Sequence, residues 1–275
     1  MEPHQIKNLG AGVLLTAQWR IWLLAGVAAA GIVALPFLPP LRQPQSYHHF
    51  ADDRAFFGVP NFFNVVSNGG FLLVGTMGLR LIWSKRATNV ASRFAEPREK
   101  WPYAVFFVGV FATCFGSSYY HWRPDDVTLV WDRLPMTVAF MSLLASTVTE
   151  RIDIRLGLRL LWPLVIAGIA SVLWWRWSGN LWPYAVDQYL SIVLILLMMI
   201  LFQSRYSRGR DLLWVAAFYA LAKILEALDA RIYAWLGSVS GHTLKHIAAT
   251  VAVYWVYRML AKRSRLLTLP CETKC

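Results

Sequence analysis

Trp101–His121 reads WPYAVFFVGVFATCFGSSYYH. The stretch is 21 residues long and contains no Asp, Glu, Lys or Arg. A helix needs about 20 mostly apolar residues to cross the hydrocarbon core of a bilayer. The stretch therefore predicts a transmembrane helix. It ends in Ser117 and His121, polar side chains that are costly at membrane depth unless they have a use.

The rest of the chain repeats this apolar pattern. The 275 residues are 57% hydrophobic and only 15% charged, and their mean hydropathy is +0.44. Such a composition is unusual for a soluble domain, and the 14 Trp and 11 Tyr suit aromatic belts at two membrane interfaces. We predict an all-α, polytopic transmembrane helix bundle. Its eight predicted spans are Ile21–Leu38, Phe62–Trp83, Trp101–His121, Leu129–Val148, Leu160–Trp175, Tyr184–Phe202, Leu212–Leu236 and His242–Leu260.

The first apolar segment has two interpretations, a signal peptide or an uncleaved helix. Basic residues precede it, as in a signal peptide. It is longer than the 7–15 residues of a typical signal-peptide core, however, and it ends in LPFLPPL without a clean cleavage site. An uncleaved transmembrane helix is the favoured interpretation.

Basic residues are concentrated in alternate loops. The stretches SKRATNVASRFAEPREK, ERIDIRLGLR, QSRYSRGRD and AKRSR carry most of the Lys and Arg, and they alternate with RPDD, RWSGN and GSVSG. This positive-inside pattern predicts that both termini are cytoplasmic. The net charge of +12 then reflects topology and attraction to anionic headgroups, with no nucleic-acid partner. We expect a multi-pass protein of the inner membrane in a bacterium, or of the ER or Golgi in a eukaryote.

Polar side chains accumulate at the predicted non-cytoplasmic ends of the helices. Ser117 and His121 are spaced i,i+4 and so share one helix face, as do His242 and His246. Asp132 follows at the start of the next helix. The amides Asn61, Asn64 and Asn68 form a further stripe in NFFNVVSN. Three histidines and a nearby carboxylate are typical of a catalytic zinc site, in which a fourth position stays open for water.

Each of these features also has a structural interpretation. An HxxxH pair near a helix start is often interfacial, a Ser can bond to a helix carbonyl, and Asp132 can complement the helix dipole. Their convergence on one end of the membrane favours a functional site.

Other polar residues are interpreted as structural. We expect His4, His48 and His49 at the surface, and Asp125 and Asp126 in a solvated turn. Glu226, Asp229 and Arg231 are predicted to form a buried ion pair that braces helices, with a catalytic role as the alternative.

The order Ser117-x-x-x-His121, Asp132, His242-x-x-x-His246 resembles the alkaline ceramidase family. That family is one of a group of seven-helix intramembrane hydrolases that includes adiponectin receptors and GPI-remodelling proteins. PNFFNVVSN is similar to its first core helix, and KILEALDARIY to the segment before its last. The resemblance extends over roughly residues 50–260. It implies an N-terminal segment with an extra helix at 1–45, a seven-helix core at 46–265 and a short tail at 266–275.

The resemblance also implies an activity. A zinc amidase would cleave the N-acyl bond of a ceramide-like membrane lipid, with His121, His242 and His246 as zinc ligands. Ser117 would hydrogen-bond near the scissile carbonyl, and Asp132 would orient or deprotonate the attacking water. The residues expected to support this site are Asn64, Asn68, Glu226 and Asp229. Two rival functions remain: a lipid-sensing receptor of the adiponectin-receptor type, and a transporter whose histidines relay protons.

Calcium is a weaker expectation. Eukaryotic family members carry an acidic calcium site before the first core helix, including a glutamate just ahead of the Phe-x-Asn stretch. This chain offers Asp52 and Asp53, but Asn61 stands at the matching glutamate position. The missing carboxylate weakens the case for Ca²⁺.

Overall fold

Long helices run through nearly all of the chain in the computed structural model. The structure describes residues 3–84 and 93–266, with side chains from residue 18 onward. The helices are α1 (Pro3–Val33), α2 (Phe62–Val66), α3 (Gly69–Trp83), α4 (Lys100–Trp122), α5 (Asp126–Arg151), α6 (Ile154–Ser178), α7 (Trp182–Leu201), α8 (Leu212–Ala227), α9 (Asp229–Leu236) and α10 (Gly241–Lys262). Short 3₁₀ turns occupy Leu35–Phe37, Gln45–His48, Pro97–Glu99 and Gly209–Asp211. No strand is present within the described ranges.

Six of the described helical segments are long and apolar enough to cross a membrane. They are Gln18–Phe37, Phe62–Trp83, Pro97–Trp122, Asp126–Arg151, Ile154–Ser178 and Trp182–Leu201. Each overlaps one of the first six predicted spans. This finding supports an all-helical membrane protein.

The last two predicted spans are helical but lie outside that set. The segment Leu212–Leu236 was expected as one helix, yet the backbone leaves the helical conformation at Leu228 (φ −99°, ψ 14°). The Asp229 carboxylate next to this break accepts hydrogen bonds from two backbone N–H groups elsewhere in the chain, those of Ala51 and His242. Helix α10 has the length to span, but its polar residues, among them His242 and Lys245, lower its mean hydropathy.

Phe62–Trp83 is also interrupted, although it was predicted as one helix. A turn at Ser67 and Asn68 separates α2 from α3. The Asn68 amide donates to the backbone carbonyl of Asn64, a bond from side chain to backbone that competes with the helical pattern. The turn lies beside the histidines described below.

The helices pack around a cavity. Helix α4 packs between α3 and α5, and α10 packs between α3 and α8. Helices α6 and α7 pack on α5, and α1 lies on the outside against α7. The core between them is formed by apolar side chains such as Phe107, Leu144, Met198 and Val256.

The end of the bundle where α4 begins and α10 ends is closed by a buried polar network. Arg263 forms an ion pair with Glu150 at 2.9 Å, and Tyr103 donates a hydrogen bond to the same carboxylate at 3.0 Å. Arg151 bonds the carbonyls of Phe202 and Gly209. Several of the basic stretches therefore meet at this end. The basic loop between α3 and α4 is described only in part, and the predicted tail 266–275 lies outside the described residues beyond 266.

Candidate metal centre

Three histidines meet at the opposite end of the bundle. His121 lies in the last turn of α4, and His242 and His246 lie in the first two turns of α10. Their ring centroids are 4.8–5.0 Å apart, and each residue is at most 4% exposed. One nitrogen from each ring lies within 4.8 Å of the others. The predicted convergence of these residues is confirmed as a buried cluster that can hold a metal ion.

A serine orients one of the imidazoles. The Ser67 hydroxyl oxygen lies 3.2 Å from the carbonyl oxygen of Asn64 and 2.7 Å from Nδ1 of His246. When its hydrogen is donated to the carbonyl, the oxygen accepts the Nδ1–H of His246. This bond leaves the Nε2 lone pair of His246 free, and that nitrogen lies 3.2 Å from Nε2 of His121. A hydrogen bond that sets the tautomer from the far side of the ring is typical of metal-binding histidines.

Unsatisfied nitrogens support the same interpretation. His121 Nδ1 and His242 Nε2 are buried and have no hydrogen-bond partner among the described residues. Buried polar atoms are rarely left without a partner, so an unpaired imidazole nitrogen in a histidine cluster is consistent with a bound ion or water. Three neutral imidazoles also match the ligand number of catalytic metal sites. The residues present therefore fit a metal ion.

The asparagine stripe surrounds the cluster and holds its backbone in place. Asn61 donates to the carbonyl of His121 at 2.9 Å. Asn64 accepts a hydrogen bond from the Thr243 hydroxyl at 2.9 Å and so links α2 to the start of α10. The side-chain oxygen of Asn68 is buried, and no residue in the described ranges hydrogen-bonds to it. The bonds of Asn61 and Asn64 give these two residues a positioning role.

An aromatic residue that the sequence did not single out covers two of the rings. The Phe50 ring centroid is 4.7 Å from those of both His121 and His242. Phe50 belongs to the irregular segment before α2, which has no periodicity from which this contact could be inferred. Ser67 was also missed, although its position three residues after Asn64 places it near the asparagine stripe.

Ser117 and Asp132 lie at a cavity that also reaches His246. The cavity has a volume of about 420 Å³. Both side chains are buried, and the Ser117 hydroxyl lies beside the Asp132 carboxylate. The structure thus brings together the histidine, serine and aspartate that were predicted from three separate helices.

Apolar side chains line most of the cavity. It extends along α5 from Asp132 to Leu143, which is roughly 16 Å at about 1.5 Å per residue. Phe106, Ile195 and Val253 contribute to its walls from other helices. The cavity therefore has a polar end at Ser117, Asp132 and His246 and a long apolar body within the bundle.

Glu226 lies at the polar end, with partners that differ from those predicted. It forms ion pairs with Lys223 and with Lys245, and the Tyr47 hydroxyl donates to it at 3.1 Å. Arg231 is exposed instead. The expected ion pair between helices is thus present, since Glu226 of α8 pairs with Lys245 of α10. The prediction that Arg231 belongs to this group was wrong, because it lies on the outward side of α9.

The prediction that His48 lies at the surface was also wrong. His48 is 8% exposed, and its ring bonds the Tyr120 hydroxyl and the Asp126 carboxylate, both at 3.1 Å. The 3₁₀ turn Gln45–His48 folds it inward over the end of α4. Asp126 is thus a partner of His48, whereas Asp125 is exposed and caps α5 by accepting from the Thr128 N–H. That backbone hydrogen bond lowers the pKa of Asp125.

The carboxylates considered for calcium lie apart from the histidines. Asp52 is buried, and its two oxygens accept from the Arg54 guanidinium at 2.7 Å each. Asp53 is exposed. The metal-binding group found among the described residues consists of the three histidines alone. Because Arg54 occupies both oxygens of Asp52, the pairing adds to the case against a calcium site.

No family model and no curated protein sequence matches this chain.

Proposed function

We propose that this protein is a zinc-dependent intramembrane amidase of the alkaline ceramidase type, which hydrolyses the N-acyl bond of a ceramide-like lipid. The observation that carries the proposal is the buried cluster of His121, His242 and His246, of which His246 lines the polar end of a long apolar cavity. An amide at that end would leave its acyl chain in the apolar body. In this proposal the segments from Phe62 to Lys262 form a seven-helix catalytic core, and α1 is an additional helix.

The three histidines would hold the zinc ion. Neutral imidazole is a preferred zinc ligand, and the His246 tautomer that donates Nδ1–H to Ser67 would present Nε2 to the ion. When bound, zinc supplies a Lewis acid for the carbonyl and a source of hydroxide near neutral pH.

The neighbouring side chains would handle charge and protons. Ser117 is placed to donate its hydroxyl hydrogen to the carbonyl oxygen as negative charge develops there. Asp132 would accept the proton of the attacking water and pass it to the leaving amine. Both residues line the cavity next to His246. Phe50, packed on two of the histidine rings, would limit the access of bulk water.

Metal analysis and turnover together test this proposal. We expect about one zinc per chain in the purified protein, and loss of the metal in His242→Ala, because a three-ligand site rarely survives with two ligands. His49→Ala is the matched control, since His49 is exposed and lies outside the cluster. Full zinc occupancy in His242→Ala would remove His242 from the ligand set.

Released fatty acid is then measured by mass spectrometry with a panel of N-acyl lipids. The amidase proposal predicts release that depends on zinc and on His242. Zinc without turnover of any N-acyl lipid would favour a lipid-sensing receptor. Absence of a stoichiometric metal would favour a proton-relaying transporter.

A further inference from the structure

Arg133 is a buried charge in the wall of the proposed catalytic cavity. It follows Asp132 in α5 and is 5% exposed. Its guanidinium carbon lies 4.1 Å from the Trp175 ring centroid and 4.6 Å from that of Tyr184. Its Nη2 donates to the side-chain oxygen of Gln43 at 2.5 Å. All of these partners are neutral, although a charge at membrane depth is costly without a counter-charge.

Arg133 forms no ion pair in the described part of the chain, and its buried Nη1 has no hydrogen-bond partner there. The buried Arg263 at the other end of the bundle is different, because it pairs with Glu150 at 2.9 Å. Of the three buried arginines in the described residues, Arg263 has a carboxylate partner, Arg151 bonds two backbone carbonyls, and Arg133 hydrogen-bonds only the neutral side chain of Gln43.

The charges that line the cavity, Arg133 included, leave it with one cation in excess. The other charged residues in the lining are Asp132, Lys223, Glu226 and Lys245. Glu226 is already paired with both lysines. Three cations thus face two carboxylates. In a cavity with mostly apolar walls this excess positive charge attracts an anion more strongly than it would in water.

We propose that the substrate carries an anionic group, a carboxylate or a phosphate, on the amine side of its amide bond, and that Arg133 binds this group. The inference rests on the proposed amidase function and narrows its substrate class. Because Arg133 adjoins Asp132, the anion would lie near the scissile bond while the acyl chain fills the apolar body. The planar guanidinium fork suits both carboxylate and phosphate oxygens.

Ligand binding, measured apart from turnover, tests the anion site. Isothermal titration of the full-length protein in nanodiscs would compare N-dodecanoylglycine with its neutral analogue N-dodecanoylglycinamide. N-dodecanoyl-phosphoethanolamine supplies the phosphate arm. Hydrogen bonds to a charged group predict that wild-type protein binds at least one of the two anionic lipids about tenfold or more tightly than the neutral amide. The anionic lipid that binds more tightly identifies whether the site prefers a carboxylate or a phosphate.

Variants assign that preference to Arg133. Arg133→Gln should bind the neutral amide as wild type does and lose the preference for the anion. Arg123→Gln is the matched control, because Arg123 is exposed just after α4 and does not line the cavity; it should keep the preference. If Arg133→Gln does not fold, Arg133→Lys takes its place. Lysine keeps the positive charge but lacks the planar guanidinium group, so this variant should lose most of the preference for the anionic lipid.

The outcomes separate this inference from the proposed function. Equal binding of anionic and neutral lipids by wild type would overturn the anion site, whether or not the protein is an amidase. If Arg133→Gln weakens the binding of anionic and neutral lipids equally, Arg133 has a structural role and the anion site is also overturned. If Arg133→Lys has to replace the Gln variant, an unchanged preference for the anion in Arg133→Lys would overturn the anion site as well. If the preference for anionic lipids depends on Arg133 but the protein hydrolyses none of these lipids, the anion site is supported and the proposed amidase function is contradicted.

Discussion

Two adjacent serines near the end of α4 have different neighbours. Ser117 lines the cavity beside Asp132, whereas Ser118 donates its hydroxyl to the carbonyl of Val65 at 3.2 Å. A nucleophilic serine would need a free base. In the proposed site His121 is a metal ligand, and the neighbouring Asp132 takes the proton of the attacking water, so neither is left to serve as that base. Ser117 therefore has the position of a hydrogen-bond donor to the developing oxyanion.

Ser117→Ala should lower turnover by about 10²–10³-fold, the range typical of removing one oxyanion donor, and zinc should stay bound. Ser118→Ala is the control and should retain most of the activity. Intact-protein mass spectrometry during turnover should show an unmodified chain. An acyl adduct trapped on Ser117 would instead make the protein a serine hydrolase with a structural metal.

Asp132 and Asp126 share one helix but differ in their surroundings. Asp132 lines the cavity, whereas Asp126 bonds His48 and Gln45 outside it. Asp132→Asn should keep zinc and lose most of the turnover, because an amide cannot accept the proton. Asp126→Asn is the matched control, with zinc content and fatty-acid release measured for both variants. If Asp132→Asn keeps full activity and Asp126→Asn loses it, then Asp126, and not Asp132, carries the proton.

The site residues differ in how far the sequence reveals them. His121, His242 and His246 were predictable because each interrupts an apolar helix and two of them share a helix face. Ser67, Phe50 and His48 reach the site through a turn and an irregular segment, where the chain direction depends on tertiary contacts. The pairing of Glu226 with Lys245 likewise depends on how α8 and α10 are rotated towards each other, which cannot be inferred from a local sequence pattern.

At the scale of helices, a close approach of α4 and α5 positions the site. A Cβ atom built on Gly116 would lie 2.0 Å from the backbone carbonyl oxygen of Trp131, so only glycine allows this contact. Gly116 immediately precedes Ser117, and Trp131 immediately precedes Asp132. The contact therefore sets the distance between the two residues proposed to act on the amide.

Gly116→Ala should separate α4 from α5, lower the thermal midpoint in detergent and reduce turnover, because backbone atoms cannot move aside as a flexible side chain can. Gly26→Ala is the matched control: nothing lies within 4 Å of a Cβ atom at Gly26, which is also inside a helix. That control should leave both quantities near wild type. Wild-type stability and activity in Gly116→Ala would show that the close approach of α4 to α5 is not needed for either property.

Helix positions were predicted more reliably than helix interruptions. A run of about 20 apolar residues indicates a spanning helix from composition alone, and six such helices are present in the described residues. The breaks at Ser67–Asn68 and at Leu228 lie inside apolar runs. They are associated with hydrogen bonds of Asn68 and Asp229 to backbone groups, and the long-range partners of Asp229 are known only once the chain is folded.

At the scale of the whole molecule, charge separates the two ends of the bundle. Hydrogen bonds join several basic segments at the end away from the histidines: Arg151 to the loop after α7, Arg205 to the end of α5, and Arg263 to the carbonyl of Arg93. The histidine cluster lies where α4 ends and α10 begins. The positive-inside rule applied to this arrangement predicts that the metal site faces the non-cytoplasmic leaflet.

A reporter fused after Cys275 tests this orientation. We expect a cytoplasmic signal, because α10 ends among the basic segments and Lys and Arg near helix ends are retained on the cytoplasmic side. A second reporter inserted after Gly237, in the exposed turn between α9 and α10, is the matched control and should report the opposite compartment. If the two signals are exchanged, the topology is inverted and the substrate must come from the cytoplasmic leaflet. Equal signals from both positions would mean that α10 does not cross the membrane, and a core with seven spanning helices would then be excluded.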